Sequence, residues 1–163
     1  MIIRDIDDDI LKEAKKLAEE MGKIKYSITG GRGNVAGFVG EIMYRDLTDS
    51  IHKNTYDYDL ITKSGYKVEV KTKRTTTDYV LPSFEASIAD FHEPQDCDIY
   101  AFARVNLRKK ICWLLGWIWK EEYYKKARYL KKGQIDPSNY FKVKANCYNL
   151  KYSELYELPF PFL

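Results

Sequence analysis

The spacing of apolar positions changes several times along this chain, and each change marks an element. Ile10, Leu11, Ala14, Leu17, Ala18 and Met21 return at intervals of three and four, which predicts a surface helix with one buried face. Asp7, Asp8 or Asp9 can cap its start, and Gly22 ends it. Strand-like KYSIT follows, and then the loop Gly30, Gly31, Arg32, Gly33. The Gly-Lys-Ser/Thr ending of a phosphate-binding loop is absent, so these glycines read as a tight turn in which Arg32 can meet a phosphate. A second helix is predicted over 35–47, capped by Asn34 and striped by Val35, Phe38, Val39, Ile42 and Met43. Glu41 falls at the margin of that stripe. There it either leans over the edge of the sheet beneath the helix or stands in solvent.

The period then drops to two in YDLITKSGYKVEVKT, which predicts a hairpin with strands over 58–62 and 66–72. Two registers are open to it. A two-residue turn at Ser64 and Gly65 pairs Asp59 with Val70 and sends Asp59 away from Glu69. A three-residue turn over 63–65 pairs Thr62 with Tyr66 and Asp59 with Glu69, with Gly65 at the left-handed position that completes the loop. Only this second register aims both acids at one spot, with Lys71 on the same face two residues on.

Beyond the hairpin, TTTDYVLPSFEASIADF reads as a loop through Pro82 and a short helix from about Ser83. A buried strand over 97–105, the basic turn Arg108, Lys109, Lys110 and a strand over 111–118 form a meander. A polar helix over 120–132 is closed by Gly133, KANCYNL adds a last strand, and Ser153 caps a short turn. There is no repeat or linker, so residues 1–163 read as one domain, with 1–33 as an N-terminal helical and strand extension. The expected class is α/β, a mixed β-sheet flanked by helices on both faces.

Composition narrows the setting. A length of 163 residues with 45% hydrophobic and 31% charged content suits one soluble domain with a real core. No apolar run is long enough for a membrane span. The opening MIIRDIDDD has acids where a secretory leader has basic and apolar residues, and a cytoplasmic protein is expected. Cys97, Cys112 and Cys147 are widely spaced and odd in number, so they read as reduced structural thiols. The net charge of +3 is small, but its distribution is uneven. Lys63, Lys67, Lys71, Lys73 and Arg74 crowd the hairpin, and a second group runs from Lys125 to Lys132. Such a field can hold a phosphate backbone, or be solvated surface.

Two apposed carboxylates repel unless something offsets them, and a divalent cation is the usual remedy. Asp59, Glu69 and the Val70 carbonyl are hard oxygen donors suited to Mg2+, with Mn2+ as a substitute. Lys71 can then orient a water or offset a phosphate oxygen, and Glu41 can hold a water or a second ion. This assembly suits in-line attack on a phosphodiester. The plainer reading makes the same charges the wet side of an ordinary hairpin. Asn54, Thr72, Lys73, Arg74 and Thr75 are candidates for DNA contacts, with His52 ranked lower. Asp57 reads as a turn carboxylate, and Trp113, Trp117 and Trp119 as core or interface.

The order of a helix with Glu41, Asp59 at the start of a hairpin and Glu69-x-Lys71 on its second strand resembles the PD-(D/E)xK nuclease superfamily, the restriction-endonuclease-like fold. The resemblance spans about 34–155. It implies that Glu41, Asp59, Glu69 and Lys71 are catalytic, with Asp59, Glu69, Val70 and Glu41 around the metal. It also implies a strand-helix-strand segment after the motif, matching the Ser83 helix, and a late strand at LLGWI. Tyr58 stands where the name-giving motif has proline. The activity implied is a Mg2+-dependent DNA endonuclease, with a homodimer for double-strand cuts. An exonuclease, a junction resolvase and an inactive DNA-binding module of the same fold are the alternatives.

Overall fold

The computed structural model describes residues 1–21, 34–53, 55–90 and 95–159. Its centre is strand β6 (Ile99–Asn106), which is buried at every position and therefore needs cover on both faces. Alternation along this strand sorts its side chains. Ile99, Ala101, Ala103 and Val105 join one core with Phe38, Val39 and Ile42 of helix α2 (Asn34–Thr48). Tyr100 and Phe102 join a second core on the opposite face. Six strands surround this axis: β1 (Ile2–Asp5), β2 (Ile51–His52), β3 (Leu60–Ile61), β4 (Lys67–Arg74), β6 and β7 (Ile111–Trp119), in the order β1-β7-β6-β4-β3-β2. β4 and β6 run parallel and the other neighbours antiparallel, so the sheet is mixed. The chain is thus α/β, as expected.

The first face carries helix α1 (Asp8–Met21) and α2. Asp7 caps α1, its Oδ1 accepting the Ile10 N–H at 2.8 Å. α2 lies close to the sheet because Gly40 has no side chain. A Cβ there would stand 2.0 Å from Thr72 Oγ1, 3.2 Å from Thr72 Cβ and 3.3 Å from Ala103 Cβ. Gly40→Ala is expected to cost about 1–3 kcal/mol in denaturant unfolding, the usual range for overpacking. Thr72→Ala should recover part of that loss in the double variant by removing the nearest atom.

The second face departs from expectation. The segment expected as a helix from Ser83 is strand β5 (Glu85–Ala89), with Ala86 and Ile88 buried on either side of exposed Ser87. It pairs with β9 (Cys147–Lys151), and Ser87 Oγ donates to Asn149 Oδ1 at 2.6 Å. Helix-favouring Glu and Ala are overridden there by sheet pairing. Likewise, the polar helix expected over 120–132 stops as α3 (Lys120–Lys126), and strand β8 (Arg128–Leu130) follows. Arg128 is drawn out of the helix by two carboxylates, Glu85 at 2.5 Å and Asp136 at 3.1 Å. β5, β9 and β8 form a second, three-stranded sheet, so this sheet and α3, not a layer of helices, cover the face. Tyr123 of α3 ties the layers together, donating to the carbonyls of Ala86 and Tyr148 at 2.9 Å.

Residues 1–21, expected as part of an extension, belong to the core. β1 pairs along β7 from Ile2↔Leu114 to Asp5↔Ile111, and Ile6 and Ala14 are buried with α2. KYSIT, the Gly30–Gly33 loop with Arg32, Asn54 and His92 lie outside the described residues. The three cysteines are free, and burial pushes the Cys97 and Cys112 thiols up to about 12, as inert structural thiols require. No helix among the described residues is long and apolar enough to cross a membrane.

Candidate active site

The turn geometry selects between the two hairpin registers. Leu60 pairs with Val68 and Ile61 with Lys67, and the Thr62 N–H donates to Tyr66 O at 3.0 Å. Gly65 takes φ +88° and closes the loop, its N–H reaching Thr62 O at 2.9 Å. This is the three-residue turn. The backbone ladder stops one step short of the acids, however. Asp59 donates its N–H to Val68 O at 2.9 Å, and its side chain takes over where a strand partner would continue. Asp59 Oδ2 accepts the Val70 N–H at 2.8 Å. A strand residue sends its N–H and C=O to the same side, so the Val70 carbonyl also faces the gap that Asp59 fills.

Burial makes the charges consequential. Glu41, Asp59 and Glu69 are only 8%, 8% and 7% exposed. Lys71 Nζ donates to Glu69 Oε1 at 2.8 Å and to Gln95 Oε1 at 2.7 Å. Glu69 Oε2 is buried and, among the described residues, has no hydrogen-bond partner. Desolvation, reinforced by the charges of Glu41 and Glu69, raises the Asp59 carboxyl well above its ordinary range, against the Val70 hydrogen bond and Lys71. Burial likewise raises Glu69, although Lys71 opposes the shift. Among the described residues, three carboxylates therefore share one poorly solvated region with Lys71 as the close cation, and one of their oxygens lacks a partner.

The fourth expected member, Glu41, reaches this region from α2. Its Oε2 accepts a hydrogen bond from His52 Nε2 at 2.8 Å. His52 sits on β2 with its ring edge toward Phe38, so the helix and the edge strand meet at this bond. Sequence reasoning ranked His52 low and missed Gln95 altogether. Gln95 links Lys71 to the segment before Asp59, because its Nε2 donates to Tyr56 O at 3.1 Å. Lys120 Nζ in turn donates to the Gln95 carbonyl. No periodicity or motif points to a lone loop glutamine; for His52 the available signal is its place on the strand next to the hairpin.

The remaining candidates scatter. Thr72 Oγ1 is buried against Gly40, with no hydrogen-bond partner among the described residues, so it does not face outward toward a phosphate. Lys73 and Arg74 are exposed, and Thr75 Oγ1 bonds Thr77 Oγ1 at 2.8 Å. Asp57 Oδ1 accepts the Asp96 N–H at 3.0 Å, so it ties its segment to one thirty-nine residues away. Trp113 and Trp117 are core, and Trp119 packs edge-on against Tyr66 and Trp117.

Among the described residues, no three His, Cys, Asp or Glu side chains converge as a ready-made metal cage. The donor set is instead two carboxylates and a carbonyl, and one of the carboxylate oxygens, Glu69 Oε2, has no partner among the described residues. That fits a cation which keeps several waters, as Mg2+ does. No family model matches the chain, and no curated protein matches it.

Proposed function

We propose that this protein is a Mg2+-dependent deoxyribonuclease of the PD-(D/E)xK type with a restriction-endonuclease-like fold, acting as an endonuclease on DNA. The observation that supports the reading is the buried carboxylates of Asp59 and Glu69 beside half-buried Lys71, with Glu69 Oε2 without a partner among the described residues. One difference from the family pattern stands beside it. The segment after the motif passes through strand β5, where the resemblance implies a helix. The support therefore comes from the hairpin and α2, not from the whole topology.

In this reading Asp59, Glu69 and the Val70 carbonyl hold Mg2+, or Mn2+ in its place, and Glu41 holds a water or a second ion. When bound, the cation offsets charge on the phosphate and makes water easier to deprotonate. Asp59 is positioned by the Val70 N–H, and Glu69 by Lys71. Lys71 is an amine held between two acceptors, Glu69 and Gln95, so its natural work is donation toward a phosphate oxygen or a water. The His52–Glu41 bond holds Glu41 at the rim of the site. One site cuts one strand, so double-strand cleavage calls for a homodimer or two successive nicks.

The test is a cleavage assay on supercoiled plasmid, linear duplex, single-stranded and branched DNA with Mg2+, Mn2+ or chelator. Nicked or linear plasmid that forms only with the cation, and that disappears in Lys71→Ala, is the expected result. Cutting in chelator, or full activity in Lys71→Ala, would sink the mechanism. Cutting confined to linear ends points to an exonuclease, and cutting confined to branched DNA to a junction resolvase. DNA binding with no cutting under any condition leaves the inactive module.

A further inference from the structure

Arg104 carries a charge that the site above does not use. It lies on β6 at 8% exposure, with its guanidinium 4.7 Å from the Phe84 ring and 5.5 Å from the Tyr152 ring. Its Nε donates to Tyr152 Oη at 2.8 Å, its one hydrogen bond among the described residues. Neither terminal Arg104 nitrogen is among the fully buried unpartnered atoms, so the guanidinium keeps a small solvent contact, and among the described residues no acceptor meets those nitrogens. Two aromatic rings and a tyrosine hydroxyl thus hold the guanidinium in place, with its terminal nitrogens unmatched by an acceptor among the described residues.

Lys73 stands directly across from it, paired Lys73↔Arg104 in the parallel register. Neither residue forms an ion pair among the described residues. Glu85, the acid that acts on Lys73, is held by Arg128 at 2.5 Å. Although Lys73 is exposed as a whole residue, partial desolvation of its ammonium against the sheet, and then the Arg104 charge, lower it below the ordinary lysine value. Two cations side by side without an acid between them are unfavourable by themselves, and an oxyanion with several acceptors resolves the arrangement. A planar fork beside a point charge is suited to a phosphate.

We propose that Lys73 and Arg104 form a phosphate subsite that holds the backbone of the nucleic-acid strand being cut. Lys73 follows Glu69 and Lys71 on the same face of β4. Four residues along a strand rising about 3.3 Å each place it roughly 13 Å beyond Glu69. The bound phosphate then lies a few nucleotides from the bond to be broken, and the subsite sets the path of the strand across the sheet. The strand assignment rests on the nuclease reading, whereas the anion site rests on the Lys73–Arg104 pair itself.

Two measurements test them separately. Melting temperature is compared in inorganic phosphate and in chloride at equal ionic strength for wild type, Lys73→Gln, Arg104→Lys and a control, Lys63→Gln, at the hairpin turn. Phosphate should raise the melting temperature of wild type and Lys63→Gln, and lose most of that effect in Lys73→Gln and Arg104→Lys. No phosphate effect, or an equal one in all four proteins, overturns the subsite. Affinity for fluorescent single-stranded and duplex oligonucleotides is then measured against salt in chelator. Lys73→Gln should weaken binding and reduce the salt slope by about one unit. Unchanged affinity and slope overturn the strand assignment and leave a site for free phosphate. Absence of cation-dependent cutting alongside the expected binding results counts against the nuclease chemistry and not against the subsite.

Discussion

Asp59→Asn is expected to abolish cation-dependent DNA cleavage, by about 100-fold or more, and at the same time to raise the melting temperature in chelator at pH 8. A metal-ligating carboxylate contributes several kcal/mol of transition-state stabilisation through the ion it holds, and about 2.7 kcal/mol corresponds to 100-fold. The stability change has the opposite sign for an electrostatic reason. Asp59 and Glu69 have raised native pKa values, chiefly through desolvation, so the folded state binds their protons more tightly than the unfolded chain. Stability then falls as pH rises from the unfolded carboxylate value, about 4. The penalty is complete above the raised native values. Asparagine removes one of the buried negative charges, yet its Oδ1 can still accept the Val70 N–H. A gain of about 2 °C or more, the shift that ~1 kcal/mol produces in a domain of this size, is expected. Mg2+ should stabilise the wild type, more at pH 8 than at pH 5, and leave Asp59→Asn unmoved. Asp59→Ala should lose activity and also stability, because it strands the Val70 N–H. A wild-type melting temperature indifferent to Mg2+ at pH 8, together with an unchanged one in Asp59→Asn, would remove the basis for a cation site here.

Gly116→Ala is expected to be among the most damaging small changes to the fold. The β6–β7 ladder skips between Phe102 and Ala103, and Gly116 sits at the resulting bulge with φ +132°. A Cβ at that position would lie 2.4 Å from the carbonyl oxygen of Tyr156 and 3.2 Å from Leu155 Cβ. The obstacle is backbone, and it is tethered: Trp117 N donates to Tyr156 O at 3.0 Å and Tyr156 N to Trp117 O at 2.8 Å. On the other side, the buried Tyr44 hydroxyl bridges the carbonyls of Phe102 and Gly116 at 2.8 and 3.0 Å. Neither side can retreat without breaking hydrogen bonds. The strained φ and the overpacking each contribute about 1–3 kcal/mol, so a loss of roughly 3 kcal/mol or more is expected. Chemical denaturation and thermal melting measure it directly. A variant that unfolds at the same denaturant concentration as wild type would contradict the bulge geometry.

The site shows how far local patterning reaches. Glu41 was legible separately, from its place at the margin of the α2 stripe. Asp59, Glu69 and Lys71 were legible together because the hairpin is local: eight residues, from Asp59 to Tyr66, contain the turn that sets the register. The meander of β6 and β7 was legible for the same reason, with Lys110 and its neighbours as a short turn between two apolar runs. His52 and Gln95 could not be placed this way. His52 meets Glu41 across eleven positions through the packing of β2 against α2, and Gln95 meets Lys71 across twenty-four from a loop, so tertiary packing decides both contacts.

What the sequence by itself determined is the part whose free energy is local: an acidic cap and apolar stripe for α1, the stripe of α2, and a hairpin turning at Gly65, while the choice of Asp7 as the cap and of the register that sends Asp59, Glu69 and Lys71 to one face came from the structure. Only the tertiary structure decided the identity of β1, β5 and β8. The chemistry of Ile2–Asp5, Glu85–Ala89 and Arg128–Leu130 permits more than one conformation, and each becomes a strand through a partner. Those partners are β7 for β1 and β9 for the other two, the latter far along the chain from β5, as in Ala86↔Leu150. Pairing of that range costs loop entropy that no local pattern records, and it is recovered only when the second core closes around Tyr100, Phe102 and Tyr123.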